Sequence, residues 1–391
     1  MNLTPLLLAI FFVLIPVSAA RPMTSLFAKQ LDASMVEIGL ITACYSITPL
    51  VLAVFAGRYI DRYGEKIPIF IGSLGIIISL CLPFFFPMIP ILYISQLLLG
   101  GGHLLALLAV QNGVTKSASN QNRDQAVGSF SLFTSIGMLL GPLIGGYTTE
   151  HLGFQMSYIL ISLIPIASII VSQFTISSPR NISRSTKINS TNYNYKELLL
   201  IPGLSRSIFV SMIILSALDI FYVYFPLYAQ SIGLSLSQIG WILTVQAASN
   251  ALVRIFMPQL VRNFGRITIL WIFMAIGALA YGIIPFQQQF MYLLITAFIL
   301  GIGLGVTQPL TIVLSYNASP PGQSGEVLGL RLASNRLAQT IVPFLFAYIS
   351  SFIGLGTIFF IKSVLLFTGS LTARRILEPG NRQNEKHVKN G

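Results

Sequence analysis

Long stretches of this chain contain no charge, and that absence limits its possible folds more than any other feature. No Asp, Glu, Lys or Arg occurs over residues 38–57, 67–115, 125–149, 151–179 or 267–325, and residues 207–253 contain only Asp219. An α-helix needs about 20 apolar residues to cross the hydrocarbon core of a bilayer. Residues 67–115 are long enough for two such helices, parted by Pro83, Pro87 and Pro90. Residues 207–253 hold two around Ser231-Ile232-Gly233, and 267–325 hold two parted near residues 285–289. Residues 325–350 and 352–373 carry embedded charges and give one span each; an apolar first helix brings the total to twelve. Hydrophobic residues make up 54% and charged residues 9%, against roughly a quarter charged in soluble domains. Such a chain cannot cover a water-facing surface. The expected fold class is an all-α membrane protein with twelve transmembrane helices.

The 23 basic residues exceed the 11 acidic ones, and their placement carries information about topology. Arg58, Arg62, Lys66, Lys116, Arg123, Arg180, Arg184, Lys187, Lys196, Arg206, Arg262 and Arg266 all fall on even-numbered connections, whereas the odd ones carry only Lys29. Lys and Arg collect on the cytoplasmic side, so both termini are expected there, in the plasma membrane and specifically the cytoplasmic (inner) membrane of a bacterium. The apolar run from Leu3 to Val17 has no positive charge before it and more spans directly after it, so it is expected to be retained as the first span rather than cleaved as a signal peptide. Cys44 and Cys81 sit in separate apolar runs, which gives no disulfide framework and no metal site. No basic helix or RNA-binding signature is present, so no nucleic-acid partner is expected.

The chain also repeats itself. Shifted by 201 residues, Ser34, Ile38 and Gly39 fall on Ser235, Ile239 and Gly240; Gly64 on Gly265; Gly100 and Gly102 on Gly301 and Gly303; Pro142 on Pro343; Gly153 on Gly354. Aligned Gly and Pro mark shared backbone constraints. The expected division is an N-terminal six-helix half over 1–176, a polar basic linker over 177–203, a C-terminal half over 204–377 and a tail over 378–391. Two such halves in one orientation are the arrangement of major facilitator transporters, with the substrate site between them at mid-membrane.

Two motifs make that resemblance specific. Between the second and third spans, Gly57, Asp61, Arg62, Gly64 and Lys66 resemble the signature loop G-x-x-x-D-R-x-G-x-K/R of the major facilitator superfamily. Gly57 is expected to permit close helix approach and Gly64 a tight turn, with Asp61 capping the next helix or pairing with a base. The resemblance implies a latch between the halves on the cytoplasmic side. On the fifth span, Gly137, Gly141, Pro142, Gly145 and Gly146 resemble the G-x-x-x-G-P-x-x-G-G signature of the drug:proton antiporters. Glycines at this spacing form a flat packing strip and Pro142 bends the helix; the resemblance implies control of access and export. One departure is Gln96, which stands where proton-coupled relatives carry an Arg four residues before the first Gly of the fourth-span motif.

Ionisable groups inside spans are functional candidates by default. Asp219 is the only acid near the middle of a span, either a proton acceptor or substrate partner, or the ion-pair partner of Arg21, Arg331 or Arg336. His103 is a second proton-coupling candidate. Arg21, Gln111, Gln246, Asn250, Gln308, Asn335 and Arg336 are candidates for the substrate cavity; Arg331, Asn335 and Gln339 form one helical stripe, and Gln246, Asn250 and Arg254 another. Lys362 is expected to snorkel to the membrane surface. No nucleotide-binding loop, metal cluster or nucleophile–base pair is present, so neither an enzyme nor a cofactor is expected. The expected function is secondary export of a small organic molecule, anionic or zwitterionic given the excess of arginines, in exchange for protons; a facilitator or importer of the same fold is the alternative. The expected partners are that substrate, protons and membrane lipids, with the chain a monomer.

Overall fold

A computed structural model describes residues 3–117, 123–175, 200–320 and 324–376. The proposed tail and nearly all of the proposed linker lie outside the described residues. The helices are α1 (Thr4–Gln30), α2 (Met35–Tyr63), α3 (Lys66–Phe85), α4 (Ile89–Ser117), α5 (Arg123–Ser162), α6 (Ile164–Ser172), α7 (Pro202–Ser231), α8 (Leu236–Phe264), α9 (Arg266–Ile283), α10 (Phe290–Gly305), α11 (Thr307–Asn317), α12 (Ser324–Ile353) and α13 (Leu355–Arg374). Eleven stretches are long and apolar enough to cross a membrane, and one of them, Gly128–Ser172, runs for 45 residues. That is about 68 Å of helix at 1.5 Å per residue, twice the hydrocarbon thickness. Gly153, at φ 78°, breaks it within α5, so it supplies two spans and the total among the described residues is twelve.

Local chemistry places the turns, and the duplication is visible in the backbone. Gly64 and Gly265 end α2 and α8 at φ 74° and 79°; Gly153 and Gly354 have φ 78° and 95°; Asp32 and Gly233 have φ 59° and 86°. Each pair is one repeat length apart in the sequence. This left-handed region is open to Gly and, among other residues, best tolerated by Asn and Asp. The residues that follow also correspond. Ser34 and Glu37 form a capping box that starts α2, and Ser235 and Gln238 form one that starts α8, which satisfies amide groups that a helix start leaves unpaired.

Helix association in lipid depends on close van der Waals contact because the tails offer no hydrophobic drive. Small residues allow it in both halves. A Cβ on Gly72 would stand 2.6 Å from the Gly102 carbonyl, and one on Gly303 would stand 2.6 Å from the Gly277 amide, joining α3 to α4 and α9 to α10. The halves meet along α5 against α8, α2 against α12 and α1 against α7.

Candidate functional site

The contacts that join the halves are concentrated at one end of the bundle. Thr244 Oγ1 donates to Leu139 O at 3.2 Å, and the Ser237 amide donates to Glu150 Oε2 at 2.6 Å. Between them, a Cβ on Gly146 would stand 2.6 Å from Leu236 O, and one on Gly240 2.6 Å from Pro142 O. On the other side, a Cβ on Gly39 would lie 3.1 Å from Pro343 O. Toward the opposite, basic end, α2, α8 and α12 expose large apolar residues such as Phe55, Ile255, Phe256 and Leu332.

A cavity of about 340 Å³ lies between the halves, from mid-bundle toward that basic end. Its walls include Ser18 and Arg21 of α1, Tyr45 of α2, His103 and Gln111 of α4, and Phe130, Thr134 and Ser135 of α5. The other half contributes Asp219 and Tyr222 of α7, Gln246, Asn250 and Arg254 of α8, Gln308 of α11, and Arg336 and Gln339 of α12. Three arginines face one aspartate, a formal excess of two positive charges with His103 neutral.

Asp219 is 2% exposed, and its Oδ1 accepts from Arg21 Nη2 at 2.5 Å, an ion pair from α7 to α1 that spans the two halves. The Arg21 guanidinium also lies 5.2 Å from the centre of the Tyr45 ring. Tyr45 Oη and His103 Nδ1 are hydrogen-bonded at 2.6 Å with their rings stacked, while His103 Nε2 and Asp219 Oδ2 are buried without a hydrogen-bond partner. Arg254 Nε donates to Gly305 O at 3.0 Å and Arg336 to Gln339 Oε1 at 3.0 Å, so both guanidinium groups are held and still have further donors for a ligand.

The structure thus gathers Arg21, His103, Gln111, Asp219, Gln246, Asn250, Gln308 and Arg336 around one space. It leaves Asn335 out. Asn335 is 2% exposed and does not line the cavity, and Arg331 of the same stripe is buried, donating to Thr311 Oγ1 at 2.9 Å. Arg254 supplies the third cavity arginine instead. Tyr45 and Tyr222 join the lining without standing out by residue type, and only the repeat marks them: they stand one repeat length from Gln246 and Arg21. The expectation that Lys362 snorkels is also incorrect. Its side chain is 1% exposed and its Nζ donates inward to Ser216 Oγ at 2.6 Å, because the inner face of α13 packs on α7 and gives the stem no route to the surface. Gln96 is 3% exposed and donates to Thr24 Oγ1 at 2.9 Å, which pairs with Tyr158 Oη at 2.9 Å, a neutral chain where the resemblance led one to look for a charge.

The motif residues divide between different tasks. Gly137, Gly141 and Gly145 pack on α1, whereas Gly146 meets α8 of the other half. Pro142 lies inside α5 and its carbonyl abuts Gly240. In the loop motif, Gly64 closes α2, Arg62 lies against the Tyr63 ring, and Lys66 Nζ donates to Gln173 O at 3.4 Å. Gly57 does not permit close helix approach here, since a Cβ there would meet open space. Asp61 does not cap α3; it is exposed in the last turn of α2, and the residue before α3 is Glu65. Buried Glu65 holds Lys116 at 2.8 Å and Asn112 at 3.4 Å, tying the loop to α4.

Twelve membrane-crossing helices in two related halves around a polar central cavity define a transporter architecture. The sequence matches the Major Facilitator Superfamily over residues 6–234 and again over 207–390, and the chain belongs to that family. Among its relatives, it is 26% identical to multidrug resistance protein 1 of Bacillus subtilis over 268 residues, 68% of each chain. It is 25% identical to multidrug resistance protein 2 of the same organism over 90% of this chain and 92% of that one. The fold is similar to that of the nucleoside transporter NupG, with a TM-score of 0.82 and 11% identity over 96% of this chain and all of that one.

Proposed function

We propose that this transporter exports a small zwitterionic organic molecule, bearing a carboxylate and an amine, in exchange for protons, and that Asp219 is the group that exchanges them. The observation that carries this reading is the Arg21–Asp219 pair, which joins the two halves in the wall of the cavity. A proton on Asp219 would remove the charge that holds Arg21 and so loosen the contact between the halves. Export is supported by the relatives that are named multidrug resistance proteins. The basic end of the bundle is read as cytoplasmic by the positive-inside rule, which puts the termini in the cytoplasm, opens the cavity inward and makes this the loading state. The setting is the cytoplasmic membrane of a bacterium, with the chain working as a monomer among lipids.

The sign of coupling constrains the substrate. In a zwitterion, the carboxylate would take the free donors of Arg21 or Arg336 and the amine would take Asp219, because charged groups leaving water need partners. A proton and the amine then compete for one carboxylate, and mutually exclusive binding gives antiport. An anion that pulled Arg21 from Asp219 would leave the carboxylate without its cation and open to a proton, and the two would travel together. That excess of cavity arginines is what supports the second reading, an importer of anions. The test is competition in vesicles. A fluorescent aminocarboxylate should be carried and be displaced by other carboxylates; strong carriage of ethidium, with no inhibition by carboxylates and no effect of Arg21→Ala or Arg336→Ala, would reject the proposed substrate class.

A further inference from the structure

Lys362 of α13 is fully shielded, lies outside the cavity lining, and is in no salt bridge among the described residues. Its ammonium donates to Ser216 Oγ at 2.6 Å and lies 5.9 Å from the Phe346 ring of α12. A charge in such a place is expensive, and the tandem repeat shows that the fold does not need it. One repeat length before Lys362 and Ser216 stand Ile161 and Ile15, both buried apolar side chains. The N-terminal half closes the same layer with two isoleucines.

The C-terminal half differs by having Asp219, one helical turn from Ser216 on the same face of α7; its N-terminal counterpart is Ser18. Arg21 takes Asp219 Oδ1, while Oδ2 is buried with no hydrogen-bond partner. From α9 the neighbouring titratable group is Tyr281, whose hydroxyl is committed to Ala217 O and whose ring stacks on Phe359, three residues before Lys362. Asp219 and Lys362 belong to the same half, so their separation survives a rigid-body motion of one half against the other. Arg21 belongs to the other half and would be carried away by that motion.

We propose that Lys362 is the alternate partner of Asp219: Arg21 holds the carboxylate while the α5–α8 seal is closed, and Lys362 leaves Ser216 to hold it when the seal opens and Arg21 withdraws. The flexible four-carbon stem of lysine suits a short move between two acceptors on one helix face. The pairing keeps the carboxylate from being stranded between release of substrate and arrival of a proton. It deepens the antiport reading and rests on the alternating access within it.

The experiment measures spin-label distances across the sealed end. Labels at Leu152 and Phe352, both exposed, are placed on the full chain in lipid nanodiscs, with Cys44 and Cys81 replaced by Ser, at alkaline pH. Lys362→Met should reduce the open population by about fivefold, while Lys362→Arg should stay within about twofold of the parent. Ser216→Ala, which removes only the resting acceptor, should shift the population the opposite way. Thermal stability of Lys362→Met should hold or rise, since a buried charge gives way to an apolar group. A parent-like distribution in Lys362→Met, an equal loss in Lys362→Arg, or a single closed population in the parent at every pH would overturn the proposal. Absence of proton-driven flux in parent vesicles would reject the antiport reading by itself, while the distances would still judge Lys362.

Discussion

Asp219 and Arg21 have unequal surroundings, and that inequality predicts unequal costs. The aspartate side chain is 3% exposed and the arginine 17%, with the guanidinium reaching the cavity. Removing one partner of a buried pair costs about 3–5 kcal/mol when the other charge is left without compensation. In a Lys362→Met background Arg21→Met strands the enclosed carboxylate, whereas Asp219→Asn leaves an arginine that cavity water can solvate. Thermal denaturation in detergent should therefore show a clearly larger loss for Arg21→Met than for Asp219→Asn in that background; an equal or reversed order would mean that the carboxylate has a partner other than Arg21 and Lys362. Asp219 stood out in the sequence as the only mid-span acid. Its partner did not, because Arg21, Arg331 and Arg336 were all within plausible reach, and only the rotation of α12 turns Arg331 toward Thr311. Lys362 was misread for a related reason: hydropathy reports the depth of a residue but not which side of its helix faces protein.

At the scale of helices, α5 presents one motif to two neighbours. The Cβ position of Gly141 is filled by Ile15 O and Ala19 N of α1, within the same half, whereas that of Gly146 is filled by Leu236 O across the seal. Gly141→Leu should push α1 and α5 apart, lowering thermal stability and abolishing flux. Gly146→Leu should leave the half folded but weaken the seal, so labels at the outer ends should show the open population rising by several-fold. Similar stability losses in the two variants would mean that the strip is a single packing surface. Asp61→Asn should impair flux while folding is preserved, because Asp61 is exposed in the last turn of α2; parent flux in that variant would remove the latch role that the family resemblance implies. The glycine spacing made the strip legible, but the face each glycine presents depends on helix rotation. Gly57 shows the limit of such reading: its spacing fits the motif, yet a Cβ there meets open space, and it is Ala56 and Ile60 beside it that are buried.

For the whole molecule, the duplication was the most legible feature, because turns, caps and close-packed glycines recur at one offset in both sequence and backbone. The proposed function rests on differences between the halves: Asp219 against Ser18, Lys362 against Ile161 and Arg21 against Tyr222. Arg21 and Asp219 put charge where the halves meet, Lys362 stands behind them within the C-terminal half, and the cavity keeps a positive balance. Arg336→Ala should accordingly weaken binding of a carboxylate probe by about tenfold, the loss of roughly 1.4 kcal/mol of charge-assisted bonding, while that of ethidium holds or improves; equal losses would count against a positive cavity. The central claim is that a proton on Asp219 drives the substrate, and the most direct measurement is accumulation of a fluorescent aminocarboxylate by acid-loaded proteoliposomes. The parent should concentrate the probe against its gradient until a protonophore collapses the pH difference, and Asp219→Asn should exchange the probe without concentrating it. Accumulation by Asp219→Asn equal to that of the parent, or flux in the parent indifferent to the pH difference, would contradict the account.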